Sequence, residues 1–515
     1  MEKGKVGKRM DDQGIMNRNP GEGKEKGKGE GNQALPDSLH FVGVGGIGMS
    51  GLAQMARFLG CAVSGSDRAL ESPENAAIFS ALRACGVTLY PQDGSFCREK
   101  IPGALVYSSA IEEDNPDFLS AAPVGIRRLH RSEALSLCMG ALGEERPVFA
   151  VSGTCGKTTV SAWLGEAMEN LGVSPGFLCG GLLNAFASEE TAGNFRAGGP
   201  HGPFVIEADE SDKSLLNYTA DRSLVLNIGT DHYSKEELAR VFREFVRKTR
   251  DFSVMEDAAF LASGGAEEFG KEERIVLFSG DESSPERLSG RRVLKLDSYR
   301  VSSGASWCSF DGMPEIRLPL PGRHNAVNAL AVYASLLESG FSARTACEAL
   351  SSFRGVWRRF DYAGRTSRGA AVYDDYAHNV EKILSCLNAA REITHGRILA
   401  LFQPHGFGPL KFMREELFLG LEKTLRKDDV FGFLPVYYAG GTASFTPTSE
   451  EVSGEYRERS GAPLRYPFFP SREAAEAFTE KWAEAADTVL VMGARDNSLS
   501  DWSRVLGGKN ESLKL

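Results

Sequence analysis

Apolar and polar positions follow two alternating rhythms along most of this chain. From His40 onward, short apolar runs alternate with stretches of helical periodicity, the pattern of α/β units built around a parallel sheet. His40 to Val44 predicts a strand, followed by a Gly-rich turn and a helix through Gly60. A second strand from Ala62 to Ser64 ends at Asp67, and another lies at Ala104 to Tyr107. A new unit starts at Pro147, where the strand Val148 to Val151 runs into a second Gly-rich loop. In the helix after it, Val160, Trp163, Leu164, Ala167, Met168 and Leu171 share one face at helical spacing. Further strands are expected at Phe204 to Ile206, Ser223 to Ile228, Ala371 to Tyr373, Ile398 to Phe402 and Thr488 to Met492. No internal repeat is visible.

Before Leu39 the pattern is different. Residues 1 to about 36 are rich in Gly, Lys and Glu and carry no apolar periodicity, so a disordered, solvated tail is expected. Eight Lys/Arg against six Asp/Glu in the first 31 residues leave it too balanced for a polybasic membrane anchor. The 515 residues exceed what one core accommodates and suggest about three domains. There is no apolar run of membrane-spanning length and no apolar segment of the secretory type near the start, which leads to the expectation of a cytoplasmic protein. A net charge of −10 argues against nucleic-acid binding across a broad basic face. Nine scattered cysteines, none closer than twelve residues to the next, exclude a CxxC zinc pair and read as reduced thiols.

Candidate chemistry starts at Gly153-Thr154-Cys155-Gly156-Lys157-Thr158-Thr159. A Gly-rich loop between a strand and a helix aims backbone N–H groups at phosphate oxygens, and the helix dipole assists. Lys157 would neutralise the terminal phosphates of ATP, and Thr158 offers a hydroxyl to Mg²⁺. The loop departs from the full Walker pattern, whose first Gly would fall at Val151. An ordinary helix-capping turn is the bland alternative, disfavoured by the strand before the loop and the amphipathic helix after it. The run Glu207-Ala208-Asp209-Glu210-Ser211-Asp212 leaves the strand that starts at Phe204, where a hard cation finds carboxylates; the alternative is a solvated acidic loop. Asp231-His232 is a second candidate metal position. Gly43-x-Gly45-x-x-Gly48 with Asp67 nineteen residues later also fits a dinucleotide fingerprint, but no other signal of hydride chemistry accompanies it. Cys155 beside Lys157 reads as a small residue tolerated in the loop rather than a reactive thiol.

Taken in order, GVGGIGMSGLA (43–53), SGSD (64–67), SSAI..DNP (108–116), GTCGKTT (153–159), EADESD (207–212), DH (231–232), PGRHNAVNALA (321–331), RRFD (358–361), DDYAH (374–378) and FQPH (402–405) resemble the motif series of the Mur ligase family. The resemblance implies an α/β chain of three domains after the tail at 1–37. These are a Rossmann-like UDP-substrate domain at 38–143, a central phosphate-loop ATPase domain at 144–361 and a Rossmann-like C-terminal ligase domain at 362–515. It implies an ATP- and Mg²⁺-dependent ligase of peptidoglycan precursor synthesis that joins L-alanine to UDP-N-acetylmuramate through an acyl-phosphate. Thr158, Glu207 and His232 would hold the metal, His324, Asn325 and Asn328 the adenine, Asp375 the ribose and Arg359 the phosphates. Lys157, Arg359 and His232 would be catalytic. Gly45, Gly46, Ile47, Gly48 and Asp67 would receive uridine diphosphate, with Ser108, Ser109, His130 and Arg131 alongside.

Departures cluster on the amine side. The alanine ligases of the family usually have His in place of Cys155, and after FQPH the family typically presents two arginines that grip the amino-acid carboxylate. Here Gly406 and Pro409 stand in their places, and neither can replace a planar bidentate clamp. Lys411, Arg414 or Arg495 are the candidate substitutes, Arg495 occupying a Gly position of the family's GAGD motif. The acid of an AAGE motif is lost at Ala439-Gly440-Gly441-Thr442. A ligase for another amine or peptide, and a non-catalytic nucleotide-binding relative, therefore stand beside the alanine ligase. The sequence selects no oligomeric state.

Overall fold

The structure is a computed structural model that describes residues 34–508 except 73–74, 144, 189–190, 211–212, 218, 230–233, 272, 303–304 and 439–444. Expectations that fall on residues 1–33, on Ser211, Asp212, Asp231 and His232, and on Ala439 to Thr442 lie outside the described residues. From Leu35 onward the chain forms a single contact unit built on three sheets.

Five parallel strands make the first sheet, in the order Thr88–Pro91, Ala62–Asp67, Ser38–Val42, Ala104–Tyr107, Arg128–His130. Its first strand stops at Val42, two residues before the expected end. Gly43 turns there at φ +73°, and the N–H groups of Gly43 and Val44 both donate to the Ser66 carbonyl. This closes the Gly-rich turn against the second strand, and the helix Ile47–Phe58 starts from it.

The middle sheet centres on Val148–Ser152, flanked by Phe204–Glu207 on one side and Arg222–Val225 on the other, all parallel. Everything that leaves these three strands at their carboxyl ends therefore meets: the phosphate loop, the acidic run and Asn227. The third of these strands is shorter than expected because Asn227 and Gly229 turn toward the loop. Beyond Phe252–Glu256 and Ile275–Ser279, a hairpin extension of Arg291–Ser302, Ala305–Phe310 and Ile316–Leu318 is antiparallel.

The helix Lys157–Asn170 shows more than an apolar stripe. Ser161, Ala162, Gly165 and Glu166, on its nominally polar side, are also buried: Gly165 faces Phe177 of the strand Gly176–Leu178, and helices Arg323–Glu338 and Ala343–Leu350 also pack on this helix. Trp163 donates its indole N–H to the Leu350 carbonyl at 3.0 Å and stacks on Phe353 with ring centroids 4.7 Å apart. Glu166 is satisfied by the Arg354 guanidinium at 3.0 Å, as a buried carboxylate requires.

The third sheet runs Asp361–Arg365, Ala371–Asp375, Thr488–Gly493, Ile398–Gln403, Val430–Phe433, with only the first strand antiparallel. Its carboxyl ends face the phosphate loop, since Glu381, Lys382 and Asp375 line the same cavity as Cys155 and Gly156. The connection into it is strained. Arg358 and Phe360 sit at φ +57° and +50°, conformations that cost about 1 kcal/mol or more each in a non-glycine residue. Buried Arg358 holds the turn by donating to Asp374 at 3.2 Å and to the carbonyls of Gly493 and Asp496 at 2.7 and 2.8 Å.

Candidate active site

The loop at 153–159 owes its shape to two glycines and an asparagine. Gly153 and Gly156 have φ of +138° and +89°, and a Cβ on Gly156 would lie 2.7 Å from the Asn328 side-chain oxygen. Asn227 receives the Cys155 N–H at 2.8 Å and donates to the Cys155 carbonyl at 3.0 Å, so one side chain braces the loop from both directions. Thr154 accepts from the Gly229 N–H at 2.8 Å. Gly156 starts the helix without a side-chain cap. The first-turn N–H groups are left for an anion, with the dipole behind them.

Lys157 extends from that turn to the acidic run. Its ammonium donates to Glu210 at 2.6 Å and to the Gly153 carbonyl at 2.8 Å. Burial works against its charge, but Glu210, Glu207 and Asp209 outweigh burial and raise its pKa. Thr158 sets its hydroxyl 3.1 Å from both oxygens of Glu207, which also accepts the Gly180 N–H at 3.0 Å. One hydroxyl and one carboxylate side by side suit Mg²⁺, which keeps waters and shares substrate phosphates instead of needing a full protein cage. Among the described residues there is no cluster of three or more His, Cys, Asp or Glu side chains able to hold a metal by themselves.

Two cavities open on the loop. A cavity of about 240 Å³ is lined by residues 154–159, Glu207, Glu210, Arg359 and Lys382. It adjoins one of about 390 Å³ bounded by Cys155, His324, Asn325, Asn328, Asp375 and Lys382. The structure thus brings together every expected nucleotide residue that it describes. Asp375 already accepts the N–H groups of Phe360 and Ala377 at 2.7 and 2.8 Å. Burial pushes its carboxyl up to about 6, against the nearby Arg359 charge. Burial, with the charge of Glu381, likewise pushes the Cys155 thiol up to about 12. Iodoacetamide at pH 8 should therefore leave Cys155 unmodified in a peptide-mapping experiment; rapid alkylation there would show a thiolate that burial does not suppress.

Arg359 also reaches the first domain's side. It lines a cavity of about 170 Å³ with Ile47, Gly180, Gly181, Trp357 and Tyr376, and its guanidinium lies 5.3 Å from the Tyr376 ring centre. Gly48 and Arg131 line a smaller pocket of about 70 Å³ with Glu207 and Asp209, and Arg131 approaches Asp209 at 3.4 Å. The remaining first-domain residues have other engagements. Asp67 receives the N–H groups of Gly45 and Ala69, both at 2.8 Å, so it braces the Gly-rich turn. Gly46 precedes the helix as its N-cap. His130 caps the helix Arg131–Ala141. Ser108 is half-buried and Ser109 exposed just after Ala104–Tyr107, outside these four cavities.

Three contributors carry no sequence motif: Asn227, Lys382 and Asn194. Asn194 joins the first two domains by donating to the Ile47 carbonyl at 2.7 Å and Ser50 at 2.8 Å while accepting from Gln54 at 3.1 Å. Close approach also explains Gly51, where a Cβ would lie 2.6 Å from Leu178.

Comparison with known proteins finds three family models along the chain. Profiles described as "Mur ligase family, catalytic domain", "Mur ligase middle domain" and "Mur ligase, glutamate ligase domain" match residues 38–141, 151–336 and 358–495. A UDP-N-acetylmuramate–L-alanine ligase of Chelativorans sp. (strain BNC1) is 31% identical over 487 residues, covering 91% of this chain and 97% of its own. Its namesake from Renibacterium salmoninarum is 33% identical, covering 89% and 93%. The crystal structure of UDP-N-acetylmuramate-alanine ligase from Thermotoga maritima matches at a TM-score of 0.72 and 25% identity, over 91% of this chain and 98% of that one. With profiles matched across all three sheets and relatives aligned over nearly their whole length, this chain belongs to the Mur ligase family.

Proposed function

We propose that this protein is an ATP-dependent ligase that joins L-alanine to the carboxylate of UDP-N-acetylmuramate, in the synthesis of peptidoglycan precursors. The observation that carries the reading is the meeting of the phosphate loop, Lys157, Glu207 and Arg359 at the junction of three domains. The names and full-length coverage of the relatives support the choice of substrates.

A carboxylate is a poor electrophile, so amide formation in water needs activation. A substrate carboxylate oxygen attacks the γ-phosphorus of ATP; the bond to the bridging oxygen breaks, leaving ADP and an acyl-phosphate. The amine then attacks the carbonyl carbon, and the tetrahedral intermediate collapses with expulsion of inorganic phosphate and loss of the amine's proton. No protein nucleophile is required. The chain's task is to hold the reacting groups in line and to stabilise charge. Lys157 and the first-turn N–H groups face the transferring phosphoryl group, and Arg359 spans the nucleotide and acyl sides. Thr158 and Glu207, with His232, would hold Mg²⁺, which screens the phosphate charge when bound. His324, Asn325, Asn328 and Asp375 would receive adenosine. Gly45 to Gly48, Ser108, Ser109 and Arg131 would receive the uridine diphosphate portion.

The loss of arginine at Gly406 and Pro409 favours a second reading, in which the amine is another amino acid or a peptide. ADP release by the purified protein with UDP-N-acetylmuramate separates the two. Stimulation by L-alanine is expected; stimulation only by another amine selects the second reading. Nucleotide binding without stimulation by any amine removes both.

A further inference from the structure

Three parallel strands of the third sheet end side by side, with Asp375 paired to Met492 and Gln403 to Gly493. The residues just beyond them are Tyr376 to His378, Ala494 to Arg495, and Pro404 to Phe407. Ligands of open α/β sheets bind outside such carboxyl ends. Tyr376 and His378 meet edge to face at 5.6 Å, His378 and His405 at 5.1 Å, and the Arg495 N–H donates to the Tyr376 hydroxyl at 3.3 Å.

The helix Phe407–Thr424 starts in this cluster, and its opening explains the missing clamp. Gly406 is the N-cap, and Pro409 falls in the first turn, where a missing N–H breaks no helical bond. Neither position has a cation to offer. Lys411 and Arg414 lie further along the same helix, about 6 and 10 Å from its start at Phe407 at a rise of about 1.5 Å per residue. Both histidines are neutral: burial, assisted by nearby cations, pulls His378 down to about 3 and His405 to about 4.

Arg495 remains. Its side chain is exposed and has no ion-pair partner among the described residues. The neighbouring acids are occupied: Asp496 by Arg472 at 2.8 Å, Asp374 by Arg358, and Asp375 by two backbone N–H groups. The backbone of Arg495 sits at φ +66°, where glycine is comfortable and arginine is strained. An unpaired guanidinium thus stands beside a helix start whose own first turn carries no cation.

We propose that Arg495 binds the carboxylate of the amine substrate, moving the clamp from the strand Ile398–Gln403 to its neighbour Thr488–Gly493. The inference rests on the ligase reading above. It commits the amine substrate to a free carboxylate, and it leaves recognition to one guanidinium where two served.

Arg495→Gly tests it, because glycine removes the side chain while suiting the backbone. For L-alanine, KM should rise about 50-fold with kcat and the KM for ATP little changed, the loss of a charged hydrogen-bonded pair. L-Alaninamide, which lacks the carboxylate, should be used by the variant and the wild type with equal efficiency. Equal losses for alanine and alaninamide, or no loss for alanine, would overturn the assignment while the ligase reading stands. A wild-type protein that turns over no amine would overturn the ligase reading and the assignment with it.

Discussion

Lys157→Ala is expected to lower amine-dependent ADP release by about 10³-fold, the scale seen when one preorganised charge is removed from a developing anion. Lys157 is the cation that the phosphate loop itself places at its mouth, and its Nζ is held on two sides, by Glu210 and by the Gly153 carbonyl. Removing it leaves Glu210 without its counter-charge. That carboxyl is already pushed up by burial, so it takes a proton more readily than an exposed acid. The chain should therefore stay folded, and Lys157→Ala with Glu210→Gln should melt like the wild type. Single-turnover ADP release, read beside a circular-dichroism melt, separates chemistry from folding. Activity within tenfold of wild type in the folded variant would remove the phosphate-loop assignment.

The second large effect is on stability. Arg358→Met should destabilise the third domain by about 3–5 kcal/mol, because it strands the Asp374 carboxylate in the interior. Both side chains are about 1% exposed, so solvent does not soften the loss. Arg358 also ties the domain connection to two carbonyls beyond the strand Thr488–Gly493. Replacing both partners, Arg358→Met with Asp374→Leu, should recover part of the loss, because no charge is then stranded. Urea unfolding followed by tryptophan fluorescence reports it, since Trp357 adjoins the pair with its ring 5.7 Å from the guanidinium. Losses that simply add in the double variant would show that the two residues act independently.

Neighbouring residues show how far the sequence could be read. Arg359 was recognisable because it sits in a motif, while Arg358 in the same motif is the one that fixes the turn. The phosphate loop and Glu207 are local signals: a buried strand, then glycines or acids, and a strand's end marks its ligand side. Asn227 and Lys382 carry no local signal, because their importance comes from strand order and from the third domain facing the loop. Asp67 fits a spacing that a ribose-binding acid would also fit, and only the geometry reveals it bracing Gly45. Small residues of the helix Lys157–Asn170 read as its polar face because periodicity cannot show that the helix is packed on more than one side. The hairpin strands between Arg291 and Leu318 mix exposed and buried positions at a sheet edge, which leaves little pattern to detect.

The contact between Lys157 and Glu210 has a bearing on turnover. On the proposed reading, in which Lys157 meets the phosphates of ATP, its ammonium is neutralised by Glu210 beforehand, so the nucleotide must win it by exchange. Part of the attraction to phosphate is given up at entry, and the same carboxylate is waiting when ADP and phosphate depart. Product release then exposes no uncompensated charge in the loop, and the site returns to its starting state by swapping one oxygen for another.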